Sequence, residues 1–90
     1  MTNKAKDKPI RLSAHAKGQL TFRGATEKEI SDTIRTSEWL PADLGRLKCS
    51  KNFTFNKVWN NKRYGTKQVK PIFVEESDEI VVITVYVYYF

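Results

Sequence analysis

The sequence holds only one cysteine and one histidine among 90 residues, and this scarcity excludes several kinds of site. A lone cysteine, Cys49, cannot form an internal disulfide or a cysteine-based zinc site. A lone histidine, His15, leaves no histidine cluster to bind a catalytic metal. No glycine-rich phosphate loop and no dinucleotide fingerprint occurs either. We therefore expect a protein that works without a metal or a cofactor.

Long apolar runs are also missing. No N-terminal stretch has the pattern of a secretory signal, and no segment reaches the ~20 apolar residues of a membrane span. With the low cysteine content, this favours a cytoplasmic protein. The chain length suits one small domain with one core. We expect a flexible basic arm over residues 1–8, followed by a single domain over residues 9–90.

Acidic residues are absent from residues 48–70, where seven lysines and arginines occur. A second basic block lies in residues 1–23, which carry six basic residues and one acidic residue. If the two blocks meet in space, they form a surface that attracts anions, and phosphate is the obvious partner. The alternative is a solvated basic surface without a partner. The formal net charge of +6 fits both interpretations.

The segment richest in signals is residues 13–24, which predicts a short helix. Ser13 is a suitable N-cap, and Gly24 can supply the left-handed residue that ends the helix. His15, Gln19 and Arg23 recur every four residues and form one polar stripe. An imidazole, an amide and a guanidinium are therefore expected along one edge of a buried helix face.

The rest of the chain predicts a second helix and then strands. A capping box at Thr26 and Glu29 begins the second helix, which runs to about residue 36. After residue 45 the apolar period changes to two, which indicates strands near residues 47–50, 63–76 and 79–90. Residues 56–62 are rich in turn formers, and Pro71 is expected at a sheet edge or a bulge. The residues of the last strand expected to face the helices are Val81, Ile83, Val85 and Val87.

The predicted fold class is therefore α+β: two N-terminal helices packed on an antiparallel sheet of three to four strands. A short extended segment at residues 9–12 is a further candidate strand. The last strand is apolar on both faces, which places it in the middle of the sheet.

Several short motifs carry a resemblance to a known family. They are Ser13-x-His15-Ala16, Arg23-Gly24 before a capped helix, Lys67 in the long strand and the closing Val-Ile-Thr-Val-Tyr strand. The pattern resembles the bacterial domain-of-unknown-function family 4258, which is grouped with the RelE-like and barnase-like ribonuclease toxins. The resemblance implies a RelE/barnase-like fold and a toxin-like, metal-independent endoribonuclease. It also implies messenger or ribosome-associated RNA as substrate and an antitoxin protein as partner.

Metal-free RNA cleavage needs a base for the ribose 2′-hydroxyl, cations for the phosphorane and an acid for the leaving oxygen. His15 can serve as base or acid, and Arg23 can bind a phosphate with two parallel hydrogen bonds. Lys67 would be a second cation, and Tyr86 a proton donor. These four residues are the predicted catalytic set. The residues predicted to contact RNA are Gln19, Lys48, Lys51, Arg63, Thr84 and Tyr88.

Each of these residues also has a structural interpretation. His15 can be a structural histidine at a helix–sheet junction, Arg23 can bind a carbonyl, and Lys67 can be solvated. The family pattern has a basic residue where this chain has Gln19, and this departure favours a second hypothesis. In that hypothesis the chain is a non-catalytic RNA- or protein-binding module on a nuclease-like scaffold. If the catalytic site exists, His15, Arg23 and Lys67 should open onto one groove.

Overall fold

The structure is a computed structural model, and it describes residues 4–90. It has the α+β composition that the sequence predicts, with two helices and one six-stranded sheet. Short 3-10 turns lie at Lys4–Asp7 and Asp43–Gly45. The helices and strands are β1 (Ile10–Leu12), α1 (Ala14–Arg23), α2 (Glu27–Thr36), β2 (Leu40–Pro41), β3 (Leu47–Lys48), β4 (Lys51–Trp59), β5 (Lys62–Glu75) and β6 (Ile80–Tyr89).

The sheet is mixed, and in this it differs from the expected antiparallel sheet of three to four strands. The strand order is β1-β6-β5-β3-β2, and β4 pairs with β5 beyond the end of β3. β1 runs parallel to β6, whereas the other pairs are antiparallel. The chain thus enters the sheet before the first helix, and Ser13 N donates to Val82 O at 2.9 Å as it leaves β1.

Both helices begin and end as the sequence predicts. Ser13 Oγ accepts a hydrogen bond from Ala16 N at 3.1 Å, and Gly24 adopts a left-handed φ of 76°. Thr26 and Glu29 form the predicted capping box. Since each cap satisfies backbone groups that a helix end leaves unpaired, these side chains fix where α1 stops and α2 starts.

The core lies between the two helices and one face of the sheet. It contains Ile30 and Ile34 of α2 and Phe73 of β5. β6 contributes Ile80 and Val82, so the expectation that Val81 and Ile83 face the helices is wrong. The cause is a register shift opposite Ile72 and Phe73, which leaves Ile83 unpaired. Before this bulge the even-numbered residues of β6 face the helices, and after it the odd-numbered residues do. Beyond the shift Val85 and Val87 pack on the core as predicted.

Pro71 lies within β5, which is paired on both sides, and it directly precedes the register shift at Ile72 and Phe73, so of the expected edge or bulge the structure has the bulge. Its carbonyl accepts a hydrogen bond from Cys49 N at 3.4 Å, so its nitrogen points to the same side. On that side β3 ends at Lys48 and β4 begins at Lys51. A residue without an N–H is tolerated there because the ladder of hydrogen bonds is interrupted.

A further expectation needs correction. Residues 56–59, expected in a turn-rich segment, belong to β4, and the turn is narrower, with positive φ at Asn60 and Asn61. Within the expected flexible arm, Lys6 contacts the end of α2, where its Nζ donates to Ser37 O at 2.9 Å. The first part of that expected arm, residues 1–3, lies outside the described residues. Within residues 4–90, no helix has the length and apolar character needed to span a membrane.

Candidate nucleic-acid interface

The two faces of the sheet differ in what covers them. One face packs against α1 and α2. Along β5 and β6, the side chains that pack against the helices alternate with side chains that point to the opposite side of the sheet. We call this opposite side the open face. The residues that define the open face are Lys48 of β3, Gln68, Lys70 and Ile72 of β5, and Thr84, Tyr86, Tyr88 and Phe90 at β6 and its end.

A hollow of about 570 Å³ lies on the open face beside the 42–46 loop. Three cationic side chains line it, those of Arg46, Lys48 and Lys70, against the single carboxylate of Asp43. Its other lining residues are Pro41, Ala42, Leu44, Ile72, Thr84 and Tyr86. The hollow therefore combines excess positive charge with an aromatic ring and a hydroxyl, which suits an anion attached to a flat or apolar group.

The loop that bounds the hollow is held by its own backbone. Ala42 N donates to Arg46 O at 2.8 Å, and Arg46 N donates to Asp43 O at 3.2 Å. Leu44 and Gly45 adopt left-handed φ values of 61° and 71° inside this turn. The turn brings Arg46 back beside β3, where it joins the two lysines of the hollow.

The polar stripe of α1 reaches the open face at two points. Gln19 Oε1 accepts hydrogen bonds from Thr84 Oγ1 and Val85 N, both at 2.8 Å. The guanidinium carbon of Arg23 lies 5.2 Å from the ring centre of Tyr86, a cation–π contact. Gln19 thus anchors the helix to the free edge of β6, and Arg23 extends the positive charge of the hollow. His15 is exposed one turn before Gln19, about 12 Å along the helix from Arg23.

Lys67 lies on the helix-covered face, so the structure does not bring the three predicted residues into one groove. Its ammonium donates to Gly24 O at 2.9 Å and forms an ion pair with Glu29 at 2.8 Å. The side chain is buried, and both of these partners belong to the α1–α2 junction. The predicted site of His15, Arg23 and Lys67 is corrected on this point: Lys67 joins two helices to the sheet.

The other predicted RNA-contacting residues divide between the two faces. Lys48 and Thr84 line the hollow together with Tyr86 of the predicted catalytic set, and Tyr88 follows on the same face. Lys51 instead donates to Thr36 Oγ1 at 3.0 Å, at the end of α2. Arg63 pairs with Val58 at the far end of β5 and does not line the hollow.

Sequence reasoning did not single out Arg46 and Lys70 as site residues. Lys70 is one of seven basic residues in its block, and only the pairing register shows which of them share the open face with β6. Arg46 lies in a loop whose course no local pattern specifies. The signal that could have found Lys70 was its even-numbered parity, which matches that of Gln68 and Ile72 and opposes that of Lys67.

Burial shifts the pKa of two titratable groups outside the hollow, those of Cys49 and Tyr89. Burial raises the pKa of Cys49 to about 12, so its thiol is protonated and inert at neutral pH. Burial, and next the charge of Glu29, raise the pKa of Tyr89, whose hydroxyl donates to Arg23 O at 2.7 Å. Within residues 4–90, no group of three or more His, Cys, Asp and Glu side chains is placed to bind a metal ion.

Comparison with known proteins yields no relative: no family model matches the chain, and no curated protein and no solved structure matches it significantly. The resemblance to domain-of-unknown-function family 4258 and to RelE-like toxins therefore stays a prediction.

Proposed function

We propose that this protein binds RNA on the open face of its sheet. The observation that carries the proposal is the hollow that Arg46, Lys48 and Lys70 line together with Tyr86 and Thr84. Cations bind the phosphates, and an aromatic ring and hydrogen-bonding groups can bind a base or a ribose. The resemblance to ribonuclease toxins selects RNA among the possible polyanions.

The charge distribution supports the same ligand. Lys67, the basic residue of β5 that faces the helices, is paired with Glu29. Arg46, Lys48 and Lys70 face the hollow, and Arg23 adds a fourth cation over Tyr86. A phosphate chain that follows this face meets four cations, which supplies sequence-independent affinity and a dependence on salt.

The salt dependence of RNA affinity tests the proposal. Each phosphate contact with single-stranded RNA contributes a slope of about −0.7 in a plot of log affinity against log salt concentration. We expect the double variant Lys48→Gln with Lys70→Gln to bind more weakly and with a slope less negative by about 1.4. The matched control is Lys17→Gln with Lys28→Gln, which removes the same charge from exposed helix positions. Equal losses in the two double variants would show that only net charge matters and would contradict the site.

A second candidate function is metal-independent RNA cleavage at the same surface. It is favoured by the contacts of Gln19 with Thr84 and of Arg23 with Tyr86, which align the α1 stripe with the hollow. In this proposal Arg23 stabilises the phosphorane and Tyr86 protonates the leaving oxygen. His15 does not line the hollow, and it takes the proton of the ribose hydroxyl only if its side chain reaches along α1 towards Arg23. Lys67 has no part in it. Bacterial, cytoplasmic RNA, free or on the ribosome, would be the substrate, and an antitoxin protein could be a partner.

Cleavage of RNA by the purified protein in a chelator, with and without ribosomes, separates the two functions. If the protein is a nuclease, His15→Ala should lower the cleavage rate by ~10²–10⁴ and retain most of the RNA affinity. Arg23→Ala should lower both, because Arg23 would hold the phosphate before and during reaction. Binding without any cleavage between pH 5 and pH 9 would leave the protein as a binding module.

A further inference from the structure

An aromatic stripe runs along the open face of β6. Tyr86, Tyr88 and Phe90 alternate with the inward-facing Val87 and Tyr89. They are 39%, 46% and 60% exposed. Since each strand residue advances the chain by about 3.4 Å, successive rings of the stripe are attached about 7 Å apart. Three large rings therefore lie in a row on the face of the sheet opposite the helices.

The packing of the fold does not account for these rings. The close ring pairs within residues 4–90 are Trp39 with Phe73, and Phe55, Trp59 and Tyr64 with Tyr89. None of these pairs includes a ring of the stripe. A tyrosine or phenylalanine face left in water forgoes the free energy of burial, and a contiguous exposed patch of this kind marks an interaction surface.

The neighbours of the stripe on β5 are polar or cationic. Lys70 lies opposite Tyr86 and Gln68 opposite Tyr88 in the antiparallel register. Thr66 exchanges two backbone hydrogen bonds with Phe90, at 2.8 and 3.1 Å. On the open face, a row of aromatic rings on β6 therefore lies beside a row of hydrogen-bond donors on β5. Arg23 and Lys70 lie near Tyr86.

We infer that this stripe is a stacking platform for the unpaired bases of single-stranded RNA, an inference that rests on the RNA binding proposed above. Bases present their flat faces only where they are unstacked, and duplex RNA exposes phosphates and grooves instead. Aromatic side chains beside a basic track bind such bases with little sequence preference. The cations near Tyr86 argue against an apolar protein segment as the occupant, because such a segment would leave them without counter-charges.

The inference is tested with three probes: a short single-stranded oligouridylate, the same strand in a duplex with oligoadenylate, and inorganic polyphosphate. The test variants are Tyr88→Leu and Phe90→Leu, which remove a ring from the sheet and keep an apolar side chain. Tyr88→Phe keeps the ring and should keep the affinity. Phe22→Leu is the matched control, because Phe22 is an exposed ring on α1, 84% exposed, and does not belong to the stripe.

We expect Tyr88→Leu and Phe90→Leu each to weaken binding of the oligouridylate by about 5- to 100-fold. Their binding of polyphosphate should match that of the wild type, because it depends on the cations alone. The wild type should prefer the single strand to the duplex. Circular dichroism melting identifies a variant that fails to fold, and the other leucine variant then carries the test.

Two results would overturn the inference and differ from failure of the proposed function. One is undiminished binding of oligouridylate by both leucine variants while Lys48→Gln with Lys70→Gln binds weakly, which would keep the RNA site and remove the platform. The other is an equal loss for oligouridylate and polyphosphate, which would show that the rings do not recognise bases. A wild type that binds neither RNA probe would refute the proposed function and the platform together.

Discussion

Lys67 and Lys70 lie three residues apart on β5 and serve opposite faces of the sheet. Lys67 is buried and bonded to Glu29 and to the carbonyl of Gly24. Lys70 lines the hollow of the open face. The same residue type in the same basic block therefore holds the fold together in one case and is available to a ligand in the other. Charge along the sequence does not distinguish the two lysines. Their odd and even positions on β5 do, because alternate residues of a strand point to opposite faces of the sheet.

Tyr88 and Tyr89 repeat this division on β6. Tyr89 points to the helices, donates to Arg23 O and packs against Trp59 with ring centres 4.9 Å apart. Tyr88 points to the open face and is part of the aromatic stripe. Substitutions on the helix-covered face should therefore change stability, and substitutions on the open face should change RNA affinity.

The largest expected effect is that of Lys67→Met. It leaves the carboxylate of Glu29 without its cation and the carbonyl of Gly24 without its donor. We expect the free energy of unfolding to fall by about 3 kcal/mol, as when one partner of a buried ion pair is removed. The RNA affinity of the folded variant should not change. Lys70→Met should show the reverse pattern, and denaturant unfolding together with RNA titration measures both.

If Lys70→Met proved more destabilising than Lys67→Met, the assignment of the two lysines to fold and ligand would be wrong.

The next effect is that of Gly24→Ala. Gly24 has a φ of 76°, and a Cβ there would lie 2.9 Å from the indole ring of Trp59 and would overlap the hydroxyl of Tyr89. The left-handed backbone alone costs a non-glycine residue about 1–2 kcal/mol. We expect a loss of about 2 kcal/mol or more in thermal or chemical unfolding. Gly18→Ala is the control, because nothing lies within 4 Å of the point that its Cβ would occupy and alanine favours a helix; a destabilised Gly18→Ala would contradict this account of α1.

A smaller effect separates Gln19 from His15. Gln19→Leu removes the acceptor of Val85 N and Thr84 Oγ1, and we expect a loss of about 1–2 kcal/mol in the free energy of unfolding. His15→Ala should stay within about 0.5 kcal/mol of the wild type, because His15 is an exposed residue. Comparable destabilisation by both substitutions would make His15 a structural residue of the helix–sheet junction.

The smallest effect concerns alkaline pH. Burial raises the pKa of Tyr89 in the folded protein, so an unfolded chain loses this proton at a lower pH than the folded chain does. The contribution of Tyr89 to stability is therefore present below pH ~10 and lost as the pH rises through its folded pKa. Tyr89→Phe should lose less stability than the wild type between neutral and alkaline pH. Tyr88→Phe, which leaves Tyr89 in place, should follow the wild type.

Local signals in the sequence predicted much of the fold. The caps at Ser13, Gly24 and Thr26 act within four residues, so the helix bounds followed from short patterns. The bulge at Ile83 could not be predicted in this way. Because β6 is apolar on both faces, its sequence does not show which alternate residues face the core. The parallel pairing of β1 with β6 joins residues about 70 positions apart, and no local pattern specifies such a contact.

The candidate site was predictable to a smaller extent, for the same reason. Thr84, Tyr86 and Lys48 were named from composition and parity, and they line the hollow. Lys67 was assigned to the site because the motif carried it, although its parity matches the buried Val69. Arg46 became visible only once the 42–46 loop had been placed beside β3.

Isoleucine methyl spectra recorded during a titration with single-stranded RNA test the central claim most directly, because isoleucines mark both faces of the sheet. Ile72 lines the hollow of the open face, whereas Ile30 and Ile34 are buried between α2 and the sheet. We predict that the Ile72 methyl signals shift as RNA is added and that those of Ile30 and Ile34 stay in place. Shifts at Ile30 and Ile34 with none at Ile72, or saturable binding without any change at Ile72, would contradict the assignment of RNA to the open face.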